Sequence, residues 1–188
     1  AYLNGHYYSN KAPLISFIAV PVYATWKSIH NIFFSEVGDG KEFKTHFNGV
    51  EIVEPVEPDT LLAGSMIILS LISALFGAML VALVYKMLRY FTKNENHRLL
   101  ITVVAGIGSM VLPYSTVFQT QIAAAFLLFL SFFIIFKVKK NELEIRYLIP
   151  AGFVSAMAVL SDYPALGLIP PLFVYVLMSK KRKEMMKH

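Results

Sequence analysis

The chain has 188 residues, of which 56% are hydrophobic, and its mean hydropathy of +0.59 is far above that of an average soluble domain. It contains no cysteine, which excludes disulfides and thiolate chemistry. The net charge of +5 is distributed unevenly. Residues 1–60 hold four Lys against seven acidic residues, whereas residues 86–98, 137–146 and 179–188 together hold thirteen Lys or Arg against four acidic residues. Basic clusters beside apolar runs are typical of the cytoplasmic rims of membrane segments, and they argue against nucleic-acid binding.

The N-terminal segment leads from polar and aromatic residues into an apolar stretch. Between Lys11 and Lys27 there are 15 uncharged residues, about 22 Å of helix, and Pro21 interrupts them. Because the hydrocarbon layer is about 30 Å thick, a full crossing is not expected. We predict an interfacial helix at the outer surface, opened by Asn10 and Pro13, which suit a helix N-terminus.

Lys11 stands beside this predicted helix start. Free backbone N–H groups, the positive end of the helix dipole and an ammonium group together suit an anion, most simply a phosphate. The alternative is that Lys11 and the pair Tyr7–Tyr8 only anchor the helix among lipid headgroups, which is the commoner use of such residues.

Residues 27–60 carry turn signals at Gly38-Asp39-Gly40 and at Asn48-Gly49. The flanks of the second signal, 42–47 and 50–54, predict a small β-hairpin. We place this loop outside the cytoplasm and treat residues 1–60 as one unit. Its histidines match no metal-ligand spacing; they are His6, His30 and His46.

Residues 61–85 form an uncharged run of 25 residues, which would rise about 37 Å as a helix and cross a membrane with some tilt. Acidic residues precede the run, and Lys86 and Arg89 follow it, so its C-terminal end is predicted to be cytoplasmic. Ser73 and Gly77, four residues apart, predict a small-residue face for close helix packing.

Residues 99–136 are 38 consecutive uncharged residues, too long for a single crossing. The polar centre at residues 113–116 predicts an outward turn between spans 99–112 and 118–136. Tyr114, Gln119 and Gln121 then lie at the outer end. The two amides have either of two roles, binding a sugar hydroxyl or, more commonly, binding a neighbouring helix.

The last apolar block repeats this arrangement, with predicted spans 147–161 and 164–178. Its tip carries Asp162 and Tyr163, followed by Pro164. A carboxylate at membrane depth is costly and points to function, but at a hairpin tip it can instead cap the following helix. The full prediction is therefore an all-α polytopic bundle of five transmembrane helices over residues 61–188, preceded by an extracytoplasmic loop with an interfacial helix and a small β-hairpin.

The run Tyr7-Tyr8-Ser9-Asn10-Lys11-Ala12-Pro13 resembles the Tyr-Tyr-x-x-Lys-x-Pro signature in the first external loop of GT-C glycosyltransferases. The resemblance is to the branch that includes protein O-mannosyltransferases and the aminoarabinose transferase of lipid A. Pro113-Tyr114-Ser115 and residues 160–164 also resemble loop tips of prokaryotic members. Two positions depart from the family pattern, because Leu14 follows Pro13 and Asp162 stands where Lys is frequent.

The resemblance implies a multi-pass enzyme of the plasma membrane that takes a sugar from a polyprenyl-phosphate donor at the extracytoplasmic face. It implies that the donor phosphate contacts Lys11, with help from Tyr7, Tyr8 and Asn10. The candidates for the substrate pocket are His6, Tyr114, Gln119, Gln121, Asp162 and Tyr163.

The expected partners are a polyprenyl-phosphate-linked sugar and membrane lipids, with no nucleic acid. No cofactor is assigned, although a divalent metal ion stays a candidate. The chain begins at Ala1 without a Met or a leader, which indicates an internal piece. In this family the catalytic acidic residue precedes the Lys segment, so it is expected upstream of Ala1, and no residue present is assigned as the base. Two alternatives stay open, a membrane transporter or lipid-binding scaffold without catalysis, and a truncated product without activity.

Overall fold

The computed structural model describes residues 2–3, 6–7, 12–33, 42–47, 50–55 and 59–178, with side chains from residue 12 to 33, at 61, and from 63 to 178. The helices within these residues are α1 (Leu14–Phe33), α2 (Asp59–Leu88), α3 (Glu95–Ile107), α4 (Val111–Thr116), α5 (Thr120–Lys139), α6 (Leu148–Ser161) and α7 (Ile169–Leu177). Two 3-10 helices, Ile145–Tyr147 and Tyr163–Leu168, precede α6 and α7.

Four short strands form two antiparallel pairs. Strand β1 (Tyr2–Leu3) pairs with β2 (His6–Tyr7). Strand β3 (Glu42–Phe47) pairs with β4 (Val50–Pro55), in a register that opposes Phe47 to Val50. Residues 48 and 49, where the sequence predicts the turn, lie outside the described residues.

Two helices in the described part of the chain are long and apolar enough to cross a membrane, Ala63–Leu88 within α2 and Thr120–Lys139, which is α5. Helix α2 has 30 residues and is about 45 Å long, slightly more than predicted, because polar residues at both ends of the apolar run remain helical. The other three predicted spans correspond to shorter helices, so the structure supports a helical bundle with two candidate spans rather than five.

The predicted span 99–112 and its turn at 113–116 are wrong in their bounds. Helix α3 starts earlier because the Asn94 side chain accepts hydrogen bonds from the backbone N–H groups of Asn96 and His97, at 3.0 and 3.4 Å. Residues 113–116, predicted as the turn, belong to α4 instead. Proline is tolerated in a first helical turn because its missing N–H would have no partner there. The chain reverses at 117–119, where Val117 and Gln119 are extended.

Helix α5 runs parallel to the second half of α2. Phe76 stacks near Phe126, with ring centroids 5.9 Å apart, and further along Tyr90 meets Phe136 at 5.1 Å. Helix α6 returns antiparallel to α5, and the Ser131 hydroxyl donates to the Ala151 carbonyl at 2.8 Å across this pair. Small side chains let α5 and α6 approach closely, and the buried cluster between them contains Ala124, Leu127, Leu128, Ala158 and Ala165.

Helix α1 is continuous through Pro21, contrary to the expected interruption, and it has 20 residues. At its start, Leu14 packs against the α5–α6 cluster. Further along, the Trp26 indole donates to the Leu61 carbonyl at 3.3 Å and lies on Gly64, where an added Cβ would stand 2.1 Å from the ring. Helix α1 therefore runs antiparallel along the first half of α2.

Candidate functional site

Two chain reversals lie at one end of the bundle, which we call the tip end. It consists of residues 117–121, between α4 and α5, and residues 161–163, after α6. The antiparallel packing of α5 on α6 brings these two reversals to the same level. The tip end meets α2 near Ser73, twelve residues or about 18 Å beyond Leu61. The first half of α2, with α1 packed along it, therefore extends beyond the tips.

Ser73 fixes the first reversal. Its hydroxyl accepts a hydrogen bond from the Gln119 N–H at 3.0 Å and donates one to the Gln119 carbonyl at 3.3 Å. The serine side chain is only 1% exposed. Because residue 119 is extended and has no helical partners, these bonds satisfy backbone groups that would otherwise be costly to bury.

Gly77, about one helical turn after Ser73, allows α4 to approach α2 closely. A Cβ at residue 77 would stand 2.0 Å from the Ser115 Oγ and 2.9 Å from the Ser115 Cβ, closer than any real packing contact. The Ser115 hydroxyl itself donates to the Val111 carbonyl at 2.6 Å, within its own helix. The small-residue face at Ser73 and Gly77 thus packs helices closely and also positions the reversal.

The polar side chains of the first reversal differ in their surroundings. Tyr114 is 38% exposed, while Gln119 and Gln121 are half-buried. The Oε1 atom of Gln121 is buried and, among the described residues, has no hydrogen-bond partner. An amide oxygen in that condition is a ready acceptor for a hydroxyl group.

Asp162 forms the second reversal with its backbone. Its N–H donates to the Ala158 carbonyl, and its own carbonyl accepts from the Ala165 N–H, both at 3.0 Å. Its half-buried carboxylate makes no capping hydrogen bond to the 3-10 helix that follows, which removes the capping alternative. The adjoining Ser161 is fully buried, and Tyr163 is 55% exposed.

The start of α1 adjoins the second reversal. Leu14 packs against the cluster that includes Ala158 and Ala165, which lie four residues before and three residues after Asp162. The neighbouring residues Ala12 and Ile15 are buried as well. The described residues thus bring the beginning of α1 and the Asp162 reversal to the same end of the bundle.

The remaining sequence candidates have no described side chains. Lys11, Tyr8 and Asn10 lie outside the described residues, and His6 and Tyr7 are described only as backbone of β2. Among the side chains that the structure describes, no three His, Asp or Glu residues are grouped to hold a metal ion.

Sequence reasoning assigned Ser73 and Gly77 to packing and missed that Ser73 bonds the reversal at Gln119. A serine hydroxyl in an apolar helix was the available signal, because such a group needs a partner. The partner itself is 46 residues away and could not be identified from the sequence.

Residues 60–188 match a family model described as dolichyl-phosphate-mannose-protein mannosyltransferase. Comparisons with curated proteins and with solved structures found no match. The family and the two long apolar helices together indicate a membrane protein. Because the match covers well over half of its residues, the chain belongs to the dolichyl-phosphate-mannose-protein mannosyltransferase family of GT-C type membrane glycosyltransferases.

Proposed function

We propose that the chain acts in a membrane glycosyltransferase that moves a sugar from a polyprenyl-phosphate donor to an acceptor at the extracytoplasmic face, with the tip end as part of the substrate pocket. The observation that carries this proposal is the packing of Leu14 against the buried cluster that contains Ala158 and Ala165. Lys11 is three residues before Leu14 in the chain, so covalent connectivity keeps it within about 11 Å of the Leu14 backbone. A phosphate held by Lys11 would then be near Asp162 and its neighbours.

In this proposal the acceptor oxygen attacks the anomeric carbon of the sugar, and the bond from that carbon to the donor phosphate oxygen breaks. An acidic residue upstream of Ala1 takes the acceptor proton. The ammonium of Lys11 stabilises the negative charge that the departing polyprenyl phosphate acquires. Tyr7, Tyr8 and Asn10 complete the phosphate site.

The tip-end side chains bind the sugar. The unpartnered Oε1 of Gln121 accepts a hydrogen bond from one sugar hydroxyl, and the Asp162 carboxylate accepts from another. Gln119, Tyr114, Tyr163 and His6 line the remaining surface of the pocket. The α1 and α2 surface that extends beyond the tips is apolar, and exposed Phe17 and Met66 on it suit a lipid-linked donor.

The decisive experiment is donor turnover by the full-length protein with Lys11→Ala. Removal of one group that stabilises developing charge typically lowers kcat by about 10² to 10³-fold. Lys27→Ala is the matched control, because it removes the same charge from the far part of α1 and should leave turnover within about twofold. Equal turnover by the Lys11→Ala variant and the wild type would remove this lysine from the site.

A second measurement separates the enzyme from a transporter or a lipid-binding scaffold. The enzyme releases polyprenyl phosphate from the labelled donor, whereas a scaffold binds the donor and returns it unchanged.

The Gln121→Leu variant tests the sugar contact. Leucine has nearly the same volume as glutamine and lacks the amide, so we expect a raised KM for the donor sugar with little change in folding. A Gln121→Leu variant with wild-type KM would exclude this amide from sugar binding.

A further inference from the structure

A lateral groove of about 520 Å³ lies between α5 and α7. Its lining residues include Ala125, Phe129 and Phe132 on α5, and Pro171 and Tyr175 on α7. It extends along α5 for seven residues, about 10 Å, away from the tip end. It runs toward the opposite end of the bundle, which we call the basic end because it carries Lys86, Lys137 and Lys139. An open apolar groove of this kind accommodates a hydrocarbon chain.

A lysine contacts the groove lining at its basic end. The Lys139 Nζ lies 4.0 Å from the centre of the Tyr175 ring, and Tyr175 contacts Phe132 at a centroid distance of 5.5 Å. A cation that close to a ring is attracted to its face. The amino group therefore stands where the apolar lining stops.

Lys139 has no acidic partner among the described residues, and neither has Lys140, whereas two other basic residues nearby are paired. Lys137 lies 3.6 Å from the Glu142 carboxylate, and Arg146 pairs with Glu144 at 2.9 Å. The sequence adds four further basic residues shortly after α7, at positions 180–183. The basic end therefore carries positive charge that the described carboxylates do not neutralise.

We propose that the lateral groove binds an anionic phospholipid, with one acyl chain between α5 and α7 and the headgroup phosphate on Lys139. The apolar groove and the uncompensated ammonium at its end complement the two parts of such a lipid. The phosphate position at Lys139 lies at the end of the bundle opposite the tips, eighteen residues along α5 from Gln121. It is therefore separate from the proposed catalytic site.

Titration of the purified full-length protein with phosphatidylglycerol and with phosphatidylcholine, followed by native mass spectrometry, tests the proposal. We expect preferential binding of phosphatidylglycerol, and a loss of about fivefold in that preference with Lys139→Ala, since one basic residue near a membrane surface contributes about that much. Lys140→Ala is the matched control. It removes the same charge from the next residue, whose amino group lies over Phe136 rather than over the groove.

Filling the groove provides a second test that leaves every charge in place. Ala125→Phe adds a ring inside the groove, and Ala156→Phe adds the same bulk at an exposed position of α6 outside it. We expect only the first variant to lose bound phosphatidylglycerol while both keep the wild-type melting temperature. Equal binding of the two lipids, equal effects of Lys139→Ala and Lys140→Ala, or occupation of the groove by a second copy of the chain in cross-linking would overturn the proposal.

Discussion

The two ends of this bundle are built from different chemistry. At the tip end, the Ser73 hydroxyl bonds the backbone of the reversal at Gln119, and Gly77 lets α4 approach α2 closely. At the basic end, Tyr90 donates to the Glu142 carboxylate, and its ring meets those of Phe133 and Phe136 edge-on. Ion pairs and cation–π contacts surround that aromatic group.

The difference lies in which polar side chains are left without partners. At the basic end, the carboxylate of Glu142 accepts a hydrogen bond from Tyr90 and forms an ion pair with Lys137. At the tip end, the backbone is satisfied, but the Gln121 Oε1 is buried without a partner in the described chain, and the Asp162 carboxylate does not cap a helix. The Arg98 Nε at the basic end is also buried without a partner in the described chain, so the two ends differ in the kind of group that is left over. The amide oxygen of Gln121 can accept a hydrogen bond from a hydroxyl group, whereas the guanidinium of Arg98 can only donate.

The largest expected effect comes from placing a side chain at the close approach of α2 and α4. Gly77→Ala puts a methyl group on Ser115, and because the clash includes the Ser115 Cβ, rotation of the hydroxyl alone does not relieve it. We expect a loss of about 1–3 kcal/mol of stability, measured as thermal unfolding in detergent, together with reduced turnover.

A rescue variant and a control sharpen this test. Ser115→Gly removes both clashing atoms, so Gly77→Ala combined with Ser115→Gly should be more stable than Gly77→Ala alone. Gly152→Ala on α6 is the control, because an added Cβ there meets nothing within 4 Å. Failure of the double variant to recover would mean that the close approach does not limit packing.

The next effect concerns the hydroxyl that holds the reversal. Ser73→Ala removes both bonds to Gln119 and leaves its buried backbone groups unsatisfied, so we expect a cost of about 1–3 kcal/mol. Turnover should fall more than stability alone explains, because the reversal carries Gln119 and Gln121. Ser70→Ala, which removes only a bond within α2, should cost less than about 0.5 kcal/mol. Equal losses in the two variants would show that the Ser73 contact is unimportant.

The sequence predicted the order of the helices and the position of α2 because charges bound each apolar run. It misplaced the turn near Pro113 because a proline inside a polar cluster is compatible with either a turn or the first turn of a helix. Only tertiary packing decides between these outcomes, and here α4 is held against α2 at Gly77. Hydropathy alone therefore located the apolar runs but misplaced the connection between two of them.

The candidate site was predictable in its residue types but not in its depth. The amides Gln119 and Gln121 and the carboxylate of Asp162 stand out as polar groups at the ends of apolar runs. Their position along the bundle, near Ser73 rather than near Leu61, depends on where along α2 the helix α5 packs. No local pattern encodes such an offset, because it results from side-chain packing between distant segments.

A smaller effect is expected at the basic end. Tyr90→Phe removes the hydroxyl bonded to Glu142 but keeps the ring against Phe133 and Phe136. Since the bond is near the surface, we expect a stability loss of about 0.5 kcal/mol and unchanged turnover. Tyr90→Ala also removes the ring contacts and should cost clearly more in the same unfolding assay. A loss of turnover with Tyr90→Phe at unchanged stability would assign this end a catalytic role and remove the contrast between the ends.

The smallest effect is a dependence on alkaline pH. The hydrogen bond to Glu142, together with burial and the negative charge of that carboxylate, raises the pKa of Tyr90 above its ordinary value of 10.0. A raised pKa in the folded protein means that folding favours the protonated phenol. The stabilisation is therefore fully present below about pH 10 and is lost as the pH rises through the raised value. Wild type and Tyr90→Phe should thus converge in melting temperature above pH 10, while a difference that persists there would show that the ring environment, and not the proton, stabilises this end.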